Sequence, residues 1–367
     1  MKNTFGNNLK ITLFGESHGP AVGCVIDGLA PGIKIDMDHV ELCLSQRAAH
    51  GGISTPRHEA DRIEFLSGVK DLTTEGTPIC IIIKNTSQVS SAYSGIENTP
   101  RPSHADLTAE YKYHGFQDKA GGGHFSGRIT APLVAAGAIV GQALAERGIK
   151  IGTHIKRLHG ISDANFSDFE SDIEKLCASK FPALSKEAEK DMINEILSAK
   201  ERSDSVGGIL ETAVIGMPCG IGEPWFDTVE GMLAHALFSI PAVKGVEFGD
   251  GFALADMMGS EANDPFIYDG EKVITEKNSN GGILGGITNG MPILFRTAVK
   301  PTPSIPKEQK TVDLKTGKET SISVGGRHDP AIIHRARAVV DAVTAIVIGD
   351  LLVTAYGTDY LTGGKQI

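Results

Sequence analysis

Residues 336–355 form the longest apolar stretch of the chain, and it carries Asp341 and Asp350 inside it. Two carboxylates so placed mark a helix buried in protein rather than a membrane span, because ionisable groups are expensive in hydrocarbon. A second helix is expected over 133–146, where Pro132 suits a first turn and Gly148 a stop. It is rich in Ala and Gly and suited to being covered on more than one side. The two stretches together predict a covered helical layer, without fixing the topology around it.

The remaining pattern is mixed. Strands are expected at 9–14, 23–26 and 78–83, and a modest amphipathic helix at 38–46. Residues 166–203 read as a charged helical surface insertion, with Ser167-x-x-Glu170 and Ser171-x-x-Glu174 as capping boxes. No repeat or linker divides the sequence, so a single domain over 1–367 is expected. A net charge of -10 and a pI near 5.7 argue against nucleic acid as a partner. The five cysteines are scattered without a C-x-x-C pair, and the twelve histidines show no H-x-x-x-H spacing, so neither a disulfide framework nor a metal site is indicated. The polar start of the chain has no apolar signal core, which predicts a cytoplasmic protein with no membrane partner.

Four segments carry chemistry. Gly121-Gly122-Gly123-His124-Phe125-Ser126-Gly127-Arg128 precedes the Ala-rich helix. A Gly-rich turn feeding a helix N-terminus lets backbone N–H groups approach an anion, and an adjacent Arg adds a bidentate donor. It reads as a phosphate or flavin cradle, or as a simple turn. Gly15-Glu16-Ser17-His18-Gly19 matches the nucleophile elbow of serine hydrolases formally, but the strand that follows it and the absence of an upstream oxyanion loop speak against that context. His18 is then a general acid at a turn, or a cap. In Arg101-Pro102-Ser103-His104-Ala105-Asp106 the carboxylate is positioned to fix an imidazole tautomer, as a catalytic His requires; the same segment also suits a surface loop. In Gly325-Gly326-Arg327-His328-Asp329-Pro330 the Arg can bind an anion, and Asp329 is either an N-cap or a base.

Taken in order with Lys112 to Asp118, Ile240 to Gly245, Gly281 to Gly286 and Lys300 to Ser304, these segments resemble the chorismate synthase family over nearly the whole chain. The resemblance implies an α+β sandwich of two antiparallel sheets enclosing a helical layer. It implies a lyase that converts 5-enolpyruvylshikimate 3-phosphate to chorismate by anti-1,4-elimination of phosphate, with reduced FMN in a redox-neutral reaction. Within it, His18 stands near the leaving phosphate, His104 near the flavin pyrimidine, and Asp329 near flavin N5 as the base. Ser17, Arg47, Arg101, Arg128 and Arg327 fall to substrate binding. His124, Phe125, Ser126, Pro241, Ala242, Gly285, Lys300, Pro301, Thr302, Pro303, Ser304 and Arg327 fall to the flavin. A homotetramer is implied. An external flavin reductant is expected, since no nicotinamide-binding motif is visible.

The chain departs from the family pattern at Gln46 to Gly52, where adjacent arginines and a Pro-Gly turn are usual, at Gln88 to Tyr93, and at Pro241. Loss of cationic groups predicts weaker substrate binding, each charge-assisted hydrogen bond being worth roughly 1.5–3 kcal/mol. The second function class is accordingly a flavin-binding relative with weakened elimination.

Overall fold

The computed structural model describes residues 2–49, 51–55, 60–86, 98–324 and 328–363. The first sheet has five antiparallel strands: β1 (Thr4–Phe5), β2 (Lys10–Gly15), β3 (Ala21–Asp27), β4 (Ile63–Ser67) and β5 (Ile79–Lys84), in the order β1-β2-β3-β5-β4. Along β5, Ile79, Ile81 and Ile83 are buried while Cys80 and Ile82 are less so. That alternation aims one face at the core. The second sheet contains β6 (Lys150–Leu158), β7 (Ile161–Ser162), β8 (Gly208–Ile215), β9 (Val243–Phe248) and β10 (Ile293–Val299), also antiparallel, in the order β9-β10-β8-β6-β7.

Among the described residues, the α-helices longer than one turn are α1 (Met37–Arg47), α2 (Asp106–Lys112), α3 (Thr130–Ala145), α4 (Phe169–Ala178), α5 (Lys186–Glu201), α6 (Val229–Leu237) and α7 (Ile333–Tyr356). Between the sheets lie α3, which packs on β3, and α7, which packs on β6, with α1 and α6 beside them. This is the expected sandwich. The two central helices touch because Gly137 has no side chain: a Cβ there would stand 2.3 Å from the Cβ of Ala342. Gly127–Ala145, which includes α3, and α7 are long and apolar enough to cross a membrane, yet most of each is buried in the protein's own core. Asp36 caps α1 by accepting from the N–H groups of Asp38 and His39.

Residues 166–203 hold two helices whose inner faces are buried, contrary to a purely surface insertion. Ile173, Leu176, Met192 and Ile196 are nearly inaccessible. A Cβ on Gly152 of β6 would meet Ile173, while the neighbouring Thr153 hydroxyl reaches Asp341 of α7 at 2.6 Å. Successive strand residues face opposite sides, so α4 covers the outer face of the second sheet. Their caps are Asp168 and Ser185, not the expected Ser167 and Ser171 boxes.

Candidate active site

Gly121, Gly122 and Gly123 all have positive φ, at 64°, 97° and 51°. Their lack of side chains is used by two imidazoles. A Cβ on Gly121 would lie 1.9 Å from His18 Cε1, and one on Gly122 3.5 Å from His104 Cε1. The turn is therefore a bed for His18 and His104, drawn tight by the Ser17 N–H donating to the Gly123 carbonyl at 3.1 Å. Ser17 is buried; its hydroxyl is 3.2 Å from His18 Nδ1 and donates to the Ala120 carbonyl at 3.5 Å.

His104 is held from the other side. Its Nδ1 is 2.6 Å from Asp106 Oδ1, and Arg101 donates to both carboxylate oxygens of Asp106 at 2.7 Å. Burial alone would raise the Asp106 pKa, but the hydrogen bonds from Arg101 and His104 outweigh it and hold the carboxyl well below the usual range. An ionised Asp106 only accepts, so Nδ1 of His104 carries the hydrogen and proton exchange falls to Nε2.

His104 stands in the wall of a cavity of 1050 Å³; His18 does not line it but packs against the wall residue Gly121. At one end stand Arg47 and Arg128, 7% and 6% exposed, with Asp61 between them. Arg47 reaches Asp61 at 3.3 Å, and Arg128 pairs with its other oxygen while donating to Asn85 Oδ1 at 3.0 Å. Asp329 lies close by. It accepts from the Thr55 N–H at 2.8 Å and from Arg335 at 2.6 Å, and Arg335 also donates to the Arg47 carbonyl at 2.9 Å. The N-cap of α7 is Ile332, without a side-chain cap, so Asp329 is not a helix cap. Another part of the wall holds Lys300, Thr302, Pro303 and Ser304, with Lys300 donating to the Ser103 carbonyl at 2.6 Å. Leu133, Val339, Val343 and Ile346 supply an apolar strip.

Of the residues named from sequence, His104, Asp329, Arg47, Arg128, His124, Phe125, Ser126, Pro241, Ala242, Lys300, Thr302, Pro303 and Ser304 share this one cavity. Ser17, Arg101, Pro301 and Gly285 are not in its wall. Arg101 is engaged by Asp106, and Gly285 occupies the turn between two short strands, Ile283–Leu284 and Ile287–Thr288. Arg327 lies outside the described residues, as do His50 and the 88–93 segment. His124 Nδ1 meets the Gly15 carbonyl at 2.8 Å, and the Ser126 hydroxyl accepts from the Arg128 N–H, so part of the Gly-rich turn braces itself.

Sequence reasoning missed Asp61, Arg335 and His235, all in the wall. A signal for Arg335 exists in His334-Arg335-Ala336-Arg337, where cations open an apolar helix. For Asp61, between Ala60 and Arg62, no local pattern stands out.

The comparisons agree with this architecture. A sequence profile described as Chorismate synthase matches residues 9–353. The chorismate synthase of Pyrococcus abyssi is 46% identical over 348 residues, 95% of this chain and 96% of that protein. That of Dehalococcoides mccartyi strain BAV1 is 45% identical over 356 residues, 97% of this chain and 98% of that one. A structure described as the crystal structure of chorismate synthase superposes with a TM-score of 0.75 at 27% identity, covering 98% of this chain and 99% of the other.

Proposed function

The chain belongs to the chorismate synthase family, and from that premise we propose that the cavity beside the triple-glycine turn is where 5-enolpyruvylshikimate 3-phosphate loses phosphate. The protein is a lyase of aromatic amino-acid biosynthesis, and the overall change is an anti-1,4-elimination that gives chorismate and phosphate. The observation that carries the site assignment is the convergence of His104, Asp329, Arg47, Arg128 and Lys300 on one cavity.

The residues fit reduced FMN. A volume of 1050 Å³ matches the upper range of ligand sites, about 1,000 Å³, and suits a flavin beside a small substrate. The strip of Leu133, Val339, Val343 and Ile346 suits a flat ring system, and Lys300 with the hydroxyls of Thr302 and Ser304 suits its phosphate. Pro241 and Ala242, whose φ is 74°, and the His124 to Ser126 turn would complete its holding. When bound, the reduced flavin supplies an electron-rich ring that helps an allylic phosphate depart.

The rest is done by side chains. Arg47 and Arg128 bind the anionic substrate, and the departing phosphate gains negative charge that these donors and His18 stabilise. His18, engaged through Nδ1 by Ser17, exchanges a proton at Nε2. His104 does the same at Nε2, oriented by Asp106 and Arg101. Asp329, oriented by Thr55 and Arg335, is the carboxylate that accepts the proton lost from carbon. Reduction of the flavin falls to an external reductant. A homotetramer belongs to the same reading, supported by exposed apolar side chains at Trp225, Phe226, Phe252, Phe266 and Tyr268.

Anaerobic incubation with reduced FMN and 5-enolpyruvylshikimate 3-phosphate tests the site reading. Phosphate release that survives removal of His104 and Asp329 would overturn it.

A further inference from the structure

Two buried guanidiniums at one end of a cavity repel each other and lose hydration, so their orientation depends on what stands between them. Here that group is Asp61, whose side chain is only 7% exposed and gives one oxygen to Arg47 and the other to Arg128. Both arginines line the cavity and have further anchors there. Arg47 NH1 lies 3.5 Å from the Thr130 hydroxyl, and Arg128 donates to the Asn85 side chain and the Lys84 carbonyl. Asp61 itself lines the cavity. It is thus placed to feel any anion that the arginines bind.

We infer that Asp61 is a positioning residue for the elimination: it aims Arg47 and Arg128 into the cavity and weakens their hold on phosphate. Asp61 offsets one unit of the positive charge that the two arginines bring to the cavity. Without it the pair would grip the phosphate product more tightly and release it more slowly. The offset keeps the product exchangeable, and the bridging geometry keeps both donors aimed where charge develops on the leaving group. This rests on the reading of the arginine end as the phosphate-binding end.

The test compares the wild type with Asp61→Asn, which keeps the volume and removes the charge. Binding of inorganic phosphate is measured by calorimetry at two ionic strengths, and kcat by anaerobic phosphate release. Phosphate should bind about tenfold tighter to the variant, with a steeper salt dependence, as expected when a nearby negative charge is removed. Its kcat should fall about tenfold or more. A structural role alone would weaken binding and turnover together, and that outcome, or no change in phosphate binding, overturns the proposal. Should the Asn variant fail to fold, Asp61→Glu decides: the retained charge should leave phosphate affinity within about twofold of wild type while the displaced carboxylate lowers kcat, and an unchanged kcat overturns the positioning role. A wild type that binds phosphate but does not release it from the enolpyruvyl substrate would count against the elimination reading alone, since the binding comparison stands without turnover.

Discussion

At the scale of single residues, the site is built from groups held by polar partners. His104 has its Nδ1 committed to Asp106, and His18 to Ser17. Replacing either imidazole by Ala should lower anaerobic phosphate release by about 10²–10⁴-fold, the usual contribution of a general acid or base, with little change in melting temperature. Near-normal turnover in both variants would remove the histidines from the mechanism. These histidines and Asp329 stand out in sequence as candidates because each sits in a short motif of Gly, Pro and charged residues. Asp61 does not, since its meaning comes from a guanidinium 67 positions away in sequence. Arg335 likewise acts on a carbonyl 288 positions distant. For Asp329 the sequence left a cap and a base open, and the structure sets the cap aside, since its oxygens are taken by Thr55 and Arg335 and the helix opens at Ile332.

Among elements, the turn at Gly121 to Gly123 and the central helix α7 matter most. Gly121→Ala would combine a positive φ with a Cβ set inside the His18 ring, so the imidazole must move. Turnover should drop at least as far as in His18→Ala, and crystallography of the variant should find the ring displaced. An undisturbed ring would contradict the packing argument. On α7, burial drives the Asp341 pKa up to about 6, against the opposing pull of Arg337 and Thr153. Its folded value exceeds the unfolded one near 3.9, so its contribution to stability is fully present below about pH 4 and is lost as pH rises through about 6. Asp341→Asn should therefore be more stable than wild type at pH 8 and little different at pH 4, measured by chemical denaturation. The helices α1, α3 and α7 and the strands β2, β3 and β5 were legible within a few residues of expectation, whereas the strands of the second sheet were not. The cap of α4 was misread because Ser167, Asp168 and Ser171 compete at its start and Asp168 is the one that accepts from a first-turn N–H, while the Ser185 cap of α5 was not read at all. The sandwich topology came from the family resemblance, since pairing order in a sheet leaves no trace in local pattern.

For the whole molecule, residues 7–9 are tied to the last long helix, chiefly by one carboxylate, with Asn8 also donating to the Thr354 hydroxyl at 2.9 Å. Asp350 near the end of α7 accepts from the N–H groups of Asn7, Asn8 and Leu9, each at 2.8 Å. Asp350→Ala would leave those donors unsatisfied and should cost about 3 kcal/mol in denaturation measurements; a negligible loss would mean water replaces the carboxylate easily. The tie also orders events in time. Leu9 leaves the ribosome 341 residues ahead of the carboxylate it needs. Throughout most of translation the N–H groups of residues 7–9 therefore wait for their acceptor, and the last helix acts as a latch. Nascent chains stalled before Ile333 should stay open to protease in their first strands, and resistance should arrive only when α7 has emerged.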